Sequence, residues 1–443
     1  LFCTENGGKK WNKIDSDTVQ MGTLCLLAVG ETLYRGTGVT HYEQDWGVGL
    51  LKSINGGKTW ESTNLTFTAR DKKPIWGVSA SNSGKNMVAC TPHDIFLSTD
   101  YGENWNTVYS GKDLDFRRVL FDPNNERRFW ACGSTVLETK NLGVDWTDHF
   151  DKVTKGLSER DIKSISRIDP ALDSNNGSRI LLFFGVRYGA FVVESIDKGD
   201  NWNIIYQNKY IRRADIHHTE IAIAPDNPNF IILGTFRSYV RRDGGKGFEV
   251  VTSPDYETPQ FAHDDVRGMK IISSKDIYLA TDGGVFHSTD QGNSWVDLSD
   301  EGLTVMQIYG IHGLGENEFI MGTQDMGYFL YTDGDWSHLG RYYGDGGDAF
   351  QTTKKTFVLI GGRVRQLDNK NLDKSKRVHP SGGNPFIAKF EAFPNAQDSF
   401  FYVGNDLWLQ NGVKWLRKTN NLNKSDYISL KLQISLFIVR NDS

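Results

Sequence analysis

The residues of this chain whose types suit chemistry are aspartates, histidines, arginines and tyrosines. Four aspartates, Asp45, Asp264, Asp325 and Asp345, are candidate catalytic carboxylates. Inverting cleavage of a glycosidic bond needs two carboxyl groups roughly 6.5 to 9.5 Å apart, one of them held protonated. The run His263-Asp264-Asp265, with His217 and His218 upstream, supplies imidazole and carboxylate donors of the kind that hold a divalent cation. Its spacing matches no defined metal site, so a hydrogen-bonded polar network is expected there, with no metal and no cofactor. Arg187, Arg237 and Arg267, with Tyr188 or Tyr239, are the residue types for gripping a substrate carboxylate beside a tyrosine nucleophile, and ordinary surface residues explain them as well.

Composition narrows the field. The 443 residues are 38% hydrophobic and 24% charged, which is globular, and the formal net charge of −5 argues against a broad electrostatic footprint for nucleic acid. The longest apolar stretch, Ile428 to Val439, is broken by Lys431 and Gln433 and is too short to span a membrane. Neither Met nor a charged-then-apolar leader opens the sequence, which says nothing about secretion. Four cysteines without C-x-x-C spacing read as small buried hydrophobes, with a single disulfide as the alternative.

What positions the candidate residues is a repeat. A hydroxyl residue, an Asp or Asn two later, Gly four later and Trp seven later recur six times. The acidic or amide member and the tryptophan are Asn6/Trp11, Asn55/Trp60, Asp100/Trp105, Asn141/Trp146, Asp197/Trp202 and Asp290/Trp295. A worn copy lies at Asp243/Gly245/Phe248, and degraded copies end at Trp336 and Trp415. This is turn chemistry: the carboxylate or amide accepts backbone N–H bonds and Gly takes a positive φ. The tryptophan is expected to pack between neighbouring units as a buried structural anchor. Alternating apolar runs of strand length between boxes, such as Ile75 to Ser81, Met87 to Cys90 and Ile95 to Ser98, give four short strands per unit of about 45 residues, the period of a β-propeller blade. Ten units fit between the first and last tryptophans. The expected fold is therefore all-β, one large propeller domain over residues 1–443, ten-bladed, its ring closed by strands from both termini. A seven-bladed propeller followed by part of a second one fits the same arithmetic.

The box resembles the Asp-box, or BNR, repeat of sialidases, sortilin-type propellers and two-propeller xyloglucanases, over almost the whole chain. Longer phrases, among them Gly36-Thr37-Gly38, Thr281-Asp282-Gly283-Gly284, Gly322-Thr323-Gln324-Asp325 and Gly344-Asp345-Gly346-Gly347, are similar to the large sortilin-like, glycosyl-hydrolase-like propellers of secreted bacterial surface proteins. That resemblance implies a secreted or cell-surface protein. It also implies that the boxes are structural and lie opposite a funnel, where ligands bind. The funnel residues would be His41 and Asp45 from the second blade, Arg187 and Tyr188 from the fifth, and His217, His218 and Arg237 from the sixth. The seventh adds His263, Asp264, Asp265 and Asp282, the eighth Gln324 and Asp325, and the ninth Asp345 and Asp348. Sialidase chemistry is announced by Arg-Ile-Pro, which is absent. Asp45 stands where the xyloglucanases have Asp-Val-Gly-Gly, but the text here is Asp-Trp-Gly-Val-Gly. The functional expectation is a recognition or scaffold module for a glycan or a protein segment, in some cases within a larger surface assembly, with an inverting glycoside hydrolase as the alternative.

Overall fold

The structure is a computed structural model. It describes the chain apart from residues 15–21, 39–45, 69, 72, 176, 187–188, 212–219, 243–244, 246, 300, 304, 341–343, 354, 361–362, 369–370, 379–387, 394–395, 405, 412–413 and 419–443. The described residues form nine four-stranded antiparallel sheets and one two-stranded sheet. In every four-stranded sheet the strands follow one another in chain order, so each sheet is a simple up-and-down meander. Among the described residues helix is confined to two single turns, Phe150–Val153 and Glu159–Ile162. This is a β-propeller.

We number the sheets in chain order. Sheet 1 holds only Phe2–Cys3 and Asn12–Lys13. The first strands of the others are Thr23–Val29, Gly77–Ala80, Phe116–Asp122, Ile165–Leu172, Glu220–Ala224, Val266–Ser273, Ile308–Gly315, Gly346–Gln351 and Lys389–Phe393, for sheets 2 to 10. Ten sheets match the ten repeat units.

The chain divides into two compact units. One is Leu1–Ser253 with Pro259–Leu303 and holds sheets 1 to 7; the other is Pro254–Thr258 with Thr304–Ser443 and holds sheets 8 to 10. Within the first unit each first strand lies against that of the next sheet, from sheet 2 to sheet 7. Sheet 1 then meets sheet 7: the Trp11 indole N–H donates to the Leu298 carbonyl at 2.6 Å, and the Trp11 backbone N–H to Glu301 at 2.8 Å. Sheet 1 therefore lies against the end of sheet 7 within this unit. Closure of a single ring by the C-terminal run Ile428 to Val439 falls outside the described residues.

Burial follows strand order. The second strand of sheet 5, Ile180–Val186, is buried at every position, because it has strands on both sides and sheets on both faces. The fourth strand of the same sheet, Asn203–Asn208, has no buried position. Continuous apolar text therefore marks inner strands and polar alternation marks the rim. Each fully buried Leu, Ile or Phe of this kind contributes about 1.5 to 3 kcal/mol relative to an exposed position.

The boxes join the third and fourth strands. In the box of sheet 3 the Ser98 hydroxyl donates to Asp100 Oδ1 at 2.8 Å and accepts from the Gly102 N–H at 2.9 Å. Asp100 Oδ1 in turn accepts from the Asn104 N–H at 2.9 Å, and the Trp105 indole returns to the Gly102 carbonyl at 2.9 Å. The turn uses two successive left-handed residues. Tyr101 has φ 60° and Gly102 φ 78°, and the pair is repeated by Leu142/Gly143, Lys198/Gly199 and Gln291/Gly292. Only the second of these positions is always glycine. A Cβ at Gly102 would lie 2.9 Å from the Tyr34 ring, so both conformation and space require it.

The structure corrects the expectation that the box tryptophans are buried anchors. Trp295 is 7% exposed, but Trp11, Trp60, Trp105, Trp146 and Trp202 are only half-buried. The reason is their place: each stands where the box turn enters the fourth strand, the outermost and most polar of its sheet. Trp60 and Trp202 spend their indole N–H within their own boxes, donating to the carbonyls of Gly57 and Gly199 at 2.9 Å. Their rings still make specific contacts. Trp202 meets the buried Trp130 edge-on with ring centres 6.1 Å apart, and the Arg35 guanidinium lies 5.8 Å from the centre of the Trp60 ring. Among the described residues there is no disulfide; Cys90 and Cys132 are buried, Cys3 and Cys25 half-buried.

Candidate functional site

An up-and-down sheet has two loop edges. The box turns lie on one edge; the entries to first strands and the turns between second and third strands lie on the other. Every described funnel candidate falls on or just inside that second edge. His41, Asp45, Arg187, Tyr188, His217 and His218 lie outside the described residues. The remaining candidates divide between the two units.

In the first unit they collect where sheet 6 meets sheet 7. The entry to sheet 7 is tied to the turn of sheet 6 by the Asp265 N–H to the Phe236 carbonyl at 2.9 Å and the Val266 N–H to Thr235 at 3.0 Å. That brings Arg237 Nε within 3.4 Å of Asp264 Oδ1. His263 is buried, and its Nδ1 stands 2.7 Å from the Asp264 carbonyl. Gly283 makes room for it, since a Cβ there would come within 2.4 Å of the imidazole. Arg267 grips Asp282 with both nitrogens, at 2.6 and 2.5 Å. Asp265 has a left-handed backbone, φ 65°, unusual for a residue with a Cβ. The result is a belt of carboxylates, most of them facing a guanidinium. No group of three or more His, Cys, Asp or Glu side chains among the described residues is arranged to hold a metal ion.

The ionic centre of this unit lies elsewhere. Arg118, Asp169, Arg167 and Glu220 come from the first strands of sheets 4, 5 and 6 and meet through Arg118 Nε to Asp169 Oδ1 at 3.1 Å and Arg167 Nη2 to the same oxygen at 2.8 Å. Arg118 also bonds Glu220, which Arg167 approaches to 3.7 Å. The other oxygen of Asp169 accepts the Ile221 N–H at 3.2 Å. Asp169 is 2% exposed, and such a charge is tolerated only because both oxygens are paired. The available signal is charge inside apolar strands, at Arg117-Arg118, Arg167 and Glu220, though nothing local says which partners meet.

In the second unit Gln324, Asp325, Asp345 and Asp348 converge. The Gln324 N–H donates to Gln307 at 2.8 Å, and the Asp325 N–H to Asp345 Oδ1 at 3.3 Å, with Asp325 at φ 58°. Deeper, Asp348 Oδ2 accepts the Phe390 N–H at 3.0 Å and Oδ1 lies 3.8 Å from Lys389 Nζ. Burial raises the Asp348 carboxyl above its usual range, against the opposing pull of Lys389. Burial likewise lowers the pKa of the His312 imidazole, whose Nε2 accepts the Gln351 N–H at 3.2 Å. The close approach depends on Gly310, where a Cβ would stand 2.7 Å from Asp348 Oδ1.

No family model and no curated protein matches the chain. Solved structures do. An ancestral GH74 enzyme is similar at TM-score 0.63 and 17% identity, over 93% of this chain and 64% of that one. YCF48 bound to D1 peptide aligns at TM-score 0.45 and 17% identity, over 72% and 96% of the two chains. A chain of the nidogen/laminin complex aligns at TM-score 0.40 and 13% identity, over 57% and 90%. The first likeness shows the fold, a β-propeller. The present chain spans less than two thirds of the length of that GH74 enzyme.

Proposed function

We propose that this chain is an Asp-box propeller of the sortilin-like kind, secreted or displayed at a cell surface, and that it recognises a glycan or a protein segment through its first-strand loop edge. The observation that carries the reading is the pairing of the carboxylates there. Asp264 faces Arg237 and Asp282 is clamped by Arg267 at that edge, while Asp169 and Glu220, within the first strands behind it, are held by Arg118 and Arg167. A carboxylate held by a guanidinium is well suited to present fixed polar groups on a rigid scaffold.

The test is a binding screen of the intact protein against glycan and peptide arrays. The reading expects saturable binding of one class, weakened by Asp264→Asn or Asp282→Asn without loss of fold. Absence of binding to either class overturns it.

One observation favours a second reading, an inverting glycoside hydrolase. Asp348 is a carboxyl biased toward its protonated form, as a general acid must be, and it stands in the strand that Asp345 precedes.

A further inference from the structure

We propose that Trp76, Asp115 and Arg117 form a subsite for a ligand hydroxyl, with a sugar ring as the expected carrier, at the loop edge between sheets 3 and 4. The proposal deepens the recognition reading and rests on it.

Position comes first. Trp76 immediately precedes the first strand of sheet 3, and Asp115 immediately precedes that of sheet 4. Both backbones are pinned, Trp76 N–H to the Cys90 carbonyl at 2.9 Å and Asp115 N–H to Ser134 Oγ at 2.9 Å. The Arg117 guanidinium lies over the Trp76 ring, its Cζ 3.9 Å from the ring centre. Its Nε and Nη2 both donate to one carboxylate oxygen, Asp115 Oδ2, at 2.9 and 2.7 Å.

That arrangement leaves three atoms over. Asp115 Oδ1, Arg117 Nη1 and Trp76 Nε1 are buried, and each is without a hydrogen-bond partner. Arg117 as a residue is only 8% exposed. Buried polar groups are satisfied in the great majority of cases, so three orphans in one contacting cluster mark a group that the protein itself does not supply. The orphans are two donors and one acceptor. A hydroxyl accepts through its lone pairs and donates its single proton, so a hydroxyl-bearing ligand offers partners of both kinds. An anion offers no proton to Asp115 Oδ1, and a cation is repelled by the guanidinium. Approach from solvent is past Asp115, whose side chain keeps 35% of its surface against 9% for Arg117. Since Arg117 already covers one face of Trp76, the ligand is read by its hydroxyls at the indole edge, not by stacking on that face.

The experiment is a titration of the intact chain, with ¹⁵N-labelled indoles, by D-glucose, D-galactose and cellotetraose. Twelve tryptophans give twelve indole N–H signals, and Trp76→Phe identifies the relevant one. The expected result is a saturable shift of the Trp76 signal with at least one saccharide, and an affinity at least tenfold lower in Arg117→Lys, which keeps the charge and loses the planar fork. A saccharide that binds while moving other indoles and leaving Trp76 still overturns the subsite and leaves the recognition reading standing. Binding of array peptides with no response to any saccharide does the same. No binding of saccharide or peptide overturns both. A Trp76 signal coupled to a long-lived water and unmoved by every sugar assigns the three orphans to a buried water and overturns the proposal.

Discussion

Trp11 donates its indole N–H to the carbonyl of Leu298, 287 residues further along the chain. With the Trp11 backbone N–H to Glu301, this bond ties the first sheet of the first unit to its last. Trp295 makes the equivalent reach, to Val251 just beyond the fourth strand of the preceding sheet, at 2.9 Å. Trp146 does so more weakly, to Val108 at 3.3 Å, while also bonding its own Gly143. In these three boxes the tryptophan is a clasp onto the sheet before it, and Trp11 finds its preceding sheet at the far end of the unit. Trp11→Phe keeps the ring and removes the donor; it is expected to lower stability by about 1 kcal/mol, the net worth of such a bond. Chemical denaturation followed by tryptophan fluorescence measures it. An unchanged midpoint would mean that the contact does not hold the first unit together.

Acid should attack the boxes that use aspartate. Asp100 and Asp197 are held down to about 2 by backbone and side-chain N–H donors from Asn104 and Asn201 and by the hydroxyls of Ser98 and Ser195. Their folded pKa values lie below the unfolded ones, so the stability they contribute is present above about pH 4 and is lost as pH falls toward 2. Asn6, Asn55 and Asn141 occupy the same position in other boxes and cannot titrate. The double variant Asp100→Asn/Asp197→Asn should flatten the fall of the urea midpoint between pH 4 and 2. A slope equal to that of the parent protein would show that the boxes do not control acid stability.

The left-handed pair in each box separates two glycine effects. Lys198, at φ 61°, has a Cβ in a region that costs L-residues about 1 to 2 kcal/mol, so Lys198→Gly should be neutral or stabilising despite the greater freedom of glycine in the unfolded chain. Gly102→Ala, one step further along its own box, should destabilise, because its Cβ would meet a positive φ of 78° and also strike Tyr34. Thermal melts of the two variants check the contrast. Equal losses would contradict the assignment of conformational roles within the turn.

Asp348 should behave opposite to the boxes. Its carboxyl is raised in the folded state, so the folded form holds its proton more tightly than the unfolded one, and its contribution falls as pH rises from about 4 through the folded pKa. Asp348→Asn should therefore leave the second unit at least as stable as the parent at pH 7, with the two curves converging near pH 4. Marked destabilisation at pH 7 would show that the charged carboxylate beside Lys389 is the favoured form.

How far the sequence carries can be argued from these same residues. The box is local: Ser98, Asp100, Gly102 and Trp105 make their bonds within eight residues, so spacing alone reveals the turn, the strand period and the blade. Grouping is not local. Which sheet Trp11 reaches, 287 residues further on, is recorded in no repeat unit. Among site residues, Asp264, Asp282, Asp325 and Asp348 are legible because they sit at strand entries and turns. Asp169 and Glu220 are not, since their shared partner Arg118 lies about 50 residues or more away and each looks alone like an ordinary charge. Tryptophan burial is also misread from the repeat: of the six, only Trp295 is buried, while Trp11, Trp60, Trp105, Trp146 and Trp202 stay half-exposed at the rim edge of their blades. Trp60→Ala, Trp105→Ala and Trp202→Ala should accordingly each cost less than the roughly 3 to 5 kcal/mol of a fully buried aromatic.

The central claim is recognition without catalysis, and it is tested most directly by measuring binding and bond cleavage on the same substrates. The intact protein and an Asp325→Asn/Asp345→Asn/Asp348→Asn variant would be incubated with a panel of soluble polysaccharides and with array-selected peptides, with retention and newly formed reducing ends read in parallel. The account predicts retention of a ligand by the intact protein, with no reducing ends above the protein-free control from either protein. Reducing ends that accumulate with the intact protein and vanish with the variant would contradict it and place a glycoside hydrolase in the second unit.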